Sequence, residues 1–312
     1  MNTTTLPLVS IILPTYNRLA LLKESLSSAQ AQTYPNLEII ILDNASTDGT
    51  GDWLNQQTAL DSRMKVIINP YNMRGETIFQ VPEHAKGRYL LILCDDDLIA
   101  PTLIEKAIHN LESLPALSFW FSRTEVFSID KENQRHVHRH TPTHHPELIQ
   151  GQDFVRLTFA RKLPVYWCSI VYRTEVLLRI NAFKKDLRFL DMANNIKCAL
   201  QGPVFAYPEV LAYYRETPFT DTNSIYGKPL DLLPHYEAMY QEIRQYSGTQ
   251  FDTAYLAFAI CCTQGHILSM RQLLSTYPKI WKLLISQGYD KLTVLFSLLS
   301  YVPRTLLRLF FR

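Results

Sequence analysis

Two short apolar runs, each ending abruptly in acids, restrict what this chain can fold into more than any other feature. Residues 37–42 (LEIIIL) pass straight into Asp43-Asn44, and residues 89–94 (YLLILC) into Asp95-Asp96-Asp97. Runs with so little polar alternation are the strands of a parallel sheet buried on both faces. The segments around them alternate in type. Residues 9–13 (VSIIL) read as a strand stopped by Pro14, and residues 19–32 carry Leu22, Leu26 and Ala29 at helical spacing. A turn-rich stretch over 43–48 precedes a helix over 50–57, and residues 66–68 form a third strand. Strand-helix alternation with short links predicts a doubly wound α/β sheet. Ligands of such sheets bind beyond the carboxyl ends of the strands.

Those ends are polar. The first finishes in Pro14-Thr15-Tyr16-Asn17-Arg18, the second in Asp43-Asn44 and the fourth in Asp95-Asp96-Asp97. Three successive carboxylates after an apolar strand are costly unless something neutralises them. A divalent cation with oxygen ligands, Mg²⁺ or Mn²⁺ bound to phosphates, would do so. The other reading is a solvated acidic turn capping a helix over 101–114.

Composition removes several classes. With 47% hydrophobic and 19% charged residues, the chain is not disordered, and a formal net charge of +2 gives no footprint for nucleic acid. Five cysteines without a C-x-x-C pair suit a reducing compartment. Residues 1–7 carry no basic leader segment, so the catalytic part is expected in the cytoplasm.

Residues 9–18 (VSIILPTYNR), 43–50 (DNASTDGT), 85–89 (AKGRY) and 95–97, in that order, resemble the motifs of family 2 glycosyltransferases with the GT-A fold. The resemblance is strong over residues 8–110 and weaker to about 225. It implies a GT-A mixed sheet with helices on both faces, plus a C-terminal helical extension. Thr15, Tyr16 and Asp43 would hold the nucleobase and ribose of a UDP-, dTDP- or GDP-linked sugar. Asn44, standing where the family usually has a second Asp, would still hydrogen-bond the donor while adding no charge. Asp97 would hold the metal, Asp95 the metal or ribose, and Asp96 the donor. In the loop with Asn69, Asn72 and Gly75, Arg74 would approach the phosphates, with a surface turn as the other reading.

The family inverts the anomeric centre in one displacement and takes its general base from an acid at a helix start in the second half. Asp191, in residues 188–193 (RFLDMA), is the match, although Leu190 replaces the usual first acid. A plain N-cap is the alternative, and Asp186 and Glu175 are the reserves. Arg215 would lie on a mobile loop over the donor phosphates, or pair with Glu209 or Glu216. Tyr166 and Trp167 are aromatic candidates for an acceptor site, or core residues.

Residues 136–145 (HVHRHTPTHH) hold five of nine histidines and read as a mobile polar loop, with zinc catalysis as the minor alternative. Apolar helices are expected over 253–274, 279–285 and 292–311. Arg304, Arg308 and Arg312 on the last suggest an amphipathic helix lying on the inner membrane surface, as a lipid-linked acceptor would require. The alternatives are packing on the core or a homodimer. The expected organisation is a catalytic domain over 1–225, with a donor half (1–110) and an acceptor half (111–225), and a helical region over 226–312. The expected enzyme is peripheral at the cytoplasmic membrane face and moves a sugar to a glycan or lipid-linked acceptor. A sugar-phosphate nucleotidyltransferase and a non-catalytic sugar-nucleotide binder are the rival readings.

Overall fold

The structure is a computed structural model, and it describes residues 6–142, 147–183, 189–217, 229–248, 251 and 255. The chain opens with β1 (Val9–Thr15), α1 (Leu19–Gln30), β2 (Leu37–Asp43), α2 (Thr50–Thr58) and β3 (Met64–Ile68). A 3₁₀ turn over Arg74–Gln80 leads to α3 (Val81–His84), β4 (Tyr89–Ile92), β5 (Leu98–Ile99) and α4 (Leu103–Ser113). Then come β6 (Phe119–Ile129), β7 (Arg135–His140), β8 (Leu148–Ile149) and α5 (Gly151–Phe159). A second 3₁₀ segment, Trp167–Ser169, precedes β9 (Ile170–Arg173), α6 (Thr174–Arg179), α7 (Leu190–Ala199), β10 (Val204–Arg215) and α8 (Pro229–Ser247).

The strands form one mixed sheet in the order β3-β2-β1-β4-β9-β6-β10-β5, with β7 beside β6 and β8 beside β10. The first four strands run parallel, and β9 runs antiparallel to both β4 and β6. Ile11, Ile12, Ile39, Ile40, Ile41, Leu90 and Leu91 have no exposed surface, so the central strands are covered on both faces as their sequences require. The first strand does not stop at Pro14. It continues to Thr15, with Pro14 opposite Leu42. Residues 12 and 14 turn their backbone groups to the side of β4, and that register ends at Ile12 opposite Ile92. The N–H that proline lacks is therefore not needed there.

The histidine-rich run is also not a loop. Residues 135–140 form β7, antiparallel to β6 and exposed along its length. Cross-strand polar contacts hold it in place of apolar burial: Arg135 pairs with Glu125, and the rings of His140 and His136 hydrogen-bond with Glu125 and Asp130. His144 and His145 lie outside the described residues.

Gly87 of the AKGRY segment is required by a close approach. A Cβ there would lie 2.5 Å from the Ser10 nitrogen. Its own N–H donates to Ser10 Oγ and Glu38 Oε1, which seats the start of β4 against β1 and β2. Arg173, at the end of β9, is 5% exposed and ties together the end of α4. Its guanidinium donates to the carbonyls of Leu117 (2.7 Å), Leu114 (3.3 Å) and Leu111, and to Tyr89 Oη (3.0 Å). Arg173→Met should strand these acceptors and destabilise the protein by about 3–5 kcal/mol. A fall in melting temperature of roughly 10 °C by scanning fluorimetry is expected.

The chain divides into two compact units. The first comprises Met1–Phe154, Pro164–Asp186 and Leu190–Thr217, and contains the whole sheet. The second comprises Val155–Leu163, Leu187–Phe189 and Pro218–Arg312. Within it Tyr240 and Tyr255 stack 3.9 Å apart, Phe159 meets both rings edge-on, and Tyr255 Oη donates to Glu237. Among the described residues, no helix is long and apolar enough to cross a membrane. The apolar helices expected after residue 252 lie outside those residues.

Candidate active site

The parallel strands deliver their polar ends to one edge of the first unit. The turns after β1 and β2 are laced together: Thr47 N–H donates to Asn17 Oδ1 (2.7 Å), and Asn17 N–H donates to Ser46 Oγ (2.9 Å). Asp48 accepts from the backbone of Leu19 and of Thr50, so one carboxylate caps the starts of both α1 and α2. Three non-glycine residues at strand ends adopt positive φ: Asn17 (50°), Ala45 (63°) and Arg74 (54°). Such conformations persist only where surrounding structure enforces them, and they gather at binding sites.

Asp43 closes β2 with no exposed surface. Its Oδ1 accepts from the Ser46 N–H at 3.2 Å, whereas its Oδ2 is buried without a hydrogen-bond partner. An orphaned carboxylate oxygen calls for a donor, and a base N–H or ribose hydroxyl fits. Thr15 is buried and Tyr16 is 42% exposed beside it in sequence.

Asn44 is spent on the protein itself. Its amide nitrogen donates to Asn72 Oδ1 (2.7 Å) and to the Arg74 carbonyl (3.2 Å). Its oxygen accepts from the Met73 N–H (2.7 Å) and from Asn69 Nδ2 (3.4 Å). The loop after β3 thus hangs on a side chain that both donates and accepts, which an aspartate cannot do. Arg74 is exposed on that loop, and Asn69 is buried beneath it. Asn44→Asp should cost about 1–3 kcal/mol by facing a carboxylate with two acceptors. Thermal melts of the unliganded variant would show the loss.

The triplet after β4 is buried: Asp95 is 5%, Asp96 8% and Asp97 2% exposed. Asp95 accepts from Thr15 Oγ1 at 2.8 Å, and Arg18 Nη1 donates to both Asp95 (3.2 Å) and Asp96 (3.0 Å). Asp97 accepts from the Arg215 backbone N–H at 3.0 Å. Burial pushes the Asp95 carboxyl up to about 6 against the pull of Arg18 and Thr15. Burial, then the Asp96 charge, lifts Asp97 well above the ordinary carboxylate range, against the Arg215 N–H and the Cys168 thiol. Ligand atoms of Cys94, Asp96 and Asp97 all lie within 4.8 Å of one another. A solvated acidic turn is excluded by that burial. Buried carboxylates brought this close suit a divalent cation, to which the site's chemistry is matched.

Arg215 is the last residue of β10, not part of an overlying loop. Its Nε donates to the Asp96 carbonyl (3.0 Å) and its Nη2 pairs with Glu24 (2.5 Å). Glu209 and Glu216 are bound elsewhere, to Lys106 and Arg139. Arg215 therefore braces the triplet from behind. Asp191 lies in the first turn of α7 and is half-buried. Burial raises its carboxyl above the usual range despite the N–H groups of Met192 and Asp191 itself. After burial and the three triplet acids, its charge is the next to raise the Cys94 thiol. Glu175 is exposed at the start of α6, where Thr174 bonds Arg88 and Gly87 at the opposite end of β4. Asp186 lies outside the described residues.

Residue patterns left three contributors unassigned. Arg18 ends the PTYNR segment, and nothing in that string shows that its side chain reaches the triplet. Cys94 adjoins the triplet, and Cys168 bonds Asp97 from a segment 71 positions away, beyond the reach of local patterns.

A mixed sheet with acids gathered past its parallel strand ends is the GT-A glycosyltransferase architecture. The chain resembles the structure of S. aureus TarS 1-349 in complex with UDP-GlcNAc, with a TM-score of 0.62 over 94% of this chain and 91% of that one, at 16% identity. An uncharacterized glycosyltransferase of Haemophilus influenzae is 28% identical over 231 residues, covering 71% of this chain and 69% of its own. The E. coli enzyme WfaP, a UDP-Glc:alpha-D-GlcNAc-diphosphoundecaprenol beta-1,3-glucosyltransferase, is 40% identical over 107 residues, or 34% of this chain and 42% of that one. The family model for glycosyl transferase family 2 matches residues 10–179, and the chain belongs to that family. Nucleotidyl transfer is thereby set aside.

Proposed function

We propose that this glycosyltransferase moves one sugar from a nucleoside-diphosphate donor to a glycan or lipid-linked acceptor, with inversion, in the building of a bacterial surface polysaccharide. The observation that carries it is the buried Asp95-Asp96-Asp97 triplet one strand away from the orphaned Asp43 Oδ2. Asp43 and Thr15 would receive the nucleoside, with Tyr16 against the base and Arg74 near the phosphates. Asp96 and Asp97 would hold Mg²⁺ or Mn²⁺, with Asp95 as a flanking acid. When bound, the ion supplies positive charge that stabilises the departing diphosphate.

The acceptor hydroxyl oxygen forms the new bond to the anomeric carbon as the bond from that carbon to the diphosphate oxygen breaks. Asp191 takes the hydroxyl proton, and the nucleoside diphosphate leaves with the bonding pair. Its raised pKa makes Asp191 a stronger base than an exposed aspartate. Half-buried Tyr166, Trp167 and Tyr214 border Cys168 and Arg215 in sequence, and Tyr166 and Tyr214 pack 4.5 Å apart, which supports an apolar platform for an acceptor sugar. The acceptor class rests on the WfaP likeness. The basic amphipathic pattern of the C-terminal region supports attachment of residues 226–312 to the cytoplasmic membrane face, with residues 1–225 as the catalytic part.

The test is a thermal-stability screen of UDP-, dTDP- and GDP-sugars with and without Mn²⁺. One donor should raise the melting temperature in an ion-dependent way. No ion-dependent donor among them would defeat the reading.

A further inference from the structure

We propose that Arg18 is the resident counter-cation of the carboxylate triplet, holding Asp95 and Asp96 in the ion-free site and releasing Asp96 when a divalent ion binds. The proposal rests on the ion-binding role given above to Asp96 and Asp97.

One guanidinium nitrogen, Arg18 Nη1, lies 3.2 Å from Asp95 Oδ1 and 3.0 Å from Asp96 Oδ2. The acid side chains are 7% and 10% exposed, so water screens them poorly, and a cation of fixed charge offsets the cost of burying them together. Asp96 belongs to two sets. It pairs with Arg18, and it shares the close cluster with Cys94 and Asp97. A divalent ion in that cluster would face the guanidinium across a single carboxylate, and the two like charges repel strongly in a poorly screened site. One of them must withdraw.

Of the arginines that the described residues bring to the triplet, Arg18 is the more exposed. Arg215 has a side chain 6% exposed, ends a sheet strand and is fixed to the Asp96 carbonyl and Glu24. Arg18 has a side chain 33% exposed and sits just before α1, after the positive-φ residue Asn17. Thr15 Oγ1 keeps the other Asp95 oxygen, so Asp95 stays positioned when Arg18 leaves Asp96. The arrangement keeps the acids in place before the ion arrives, at the expense of affinity for the ion alone.

The test is a titration of the full chain with Mn²⁺ alone, following free Mn²⁺ by electron paramagnetic resonance. Arg18→Gln should bind Mn²⁺ about tenfold more tightly than wild type, a change of about 1.4 kcal/mol. Arg18→Lys, which keeps the charge, should stay near wild type. Equal or weaker binding by Arg18→Gln, while wild-type binding is lost in Asp97→Asn, overturns the role of Arg18 and leaves the ion site intact. Absence of Mn²⁺ binding in every chain overturns both. A measurement on the unaltered protein covers the case in which Arg18→Gln does not fold. The Arg18 Nε–Hε resonance, assigned by its loss in Arg18→Lys, should shift on Mg²⁺ titration, and an unmoved signal at saturating Mg²⁺ overturns the exchange.

Discussion

Asp97→Asn should lower kcat/KM by at least about 10³-fold while leaving the ion-free protein as stable as wild type, or more so. The two effects have opposite signs because they come from one cause. Asp97 is 2% exposed, and burial together with the Asp96 charge pushes its carboxyl well above the ordinary range. An amide of the same shape keeps an oxygen for the Arg215 N–H, now at 3.0 Å, and removes the buried charge. It also takes an anionic ligand from the cluster with Cys94 and Asp96. Thermal melts with and without Mn²⁺ and donor separate the effects: the ion-free melting temperature should hold or rise, and the ion-dependent shift should vanish. A variant that melts early without ion would mark Asp97 as structural. One that keeps the shift would remove it from the ion site.

What local sequence could show was how the parallel strands are made. Ile39, Ile40 and Ile41, or Leu90 and Leu91, are buried whatever their neighbours do, so the strands and their acidic ends were readable directly. The same runs placed Asp43 and the triplet at one sheet edge, because parallel strands share a direction. Where long-range pairing decides, local pattern fails. Residues 135–140 have a loop's composition and form a strand because Glu125 and Asp130, on and beside β6, supply its partners. Pro14 looked like a terminus because the end of the β4 register cannot be read from β1. Asn44 looked like a weakened version of a second acid, and only the positions of Asn72, Met73 and Arg74 reveal why an amide stands there. Arg215 looked like a loop cation because its partner, Glu24, is 191 positions away.

Asp191→Asn should leave donor and ion binding within about twofold of wild type and reduce kcat by about 10²–10⁴-fold, the range that general-base catalysis supplies. Among the described residues, the contacts that hold the triplet do not include Asp191: Thr15 and Arg18 serve Asp95, Arg18 serves Asp96, and Arg215 and Cys168 serve Asp97. Its replacement should therefore not disturb the ion site. The base must be deprotonated to act, so wild-type activity should rise with pH through the Asp191 pKa. Burial holds that pKa above the usual carboxylate value, which moves the acidic limb upward by the same amount. The variant should lose this limb along with turnover. Isothermal titration of donor with Mn²⁺, set beside a pH profile of kcat, distinguishes a missing base from a damaged pocket. Undiminished turnover would refute the assignment, and Glu175 could not inherit the role, because it stands exposed at the other end of β4. An N-cap alone predicts stability and kcat both unchanged, because Asn caps a helix about as well as Asp.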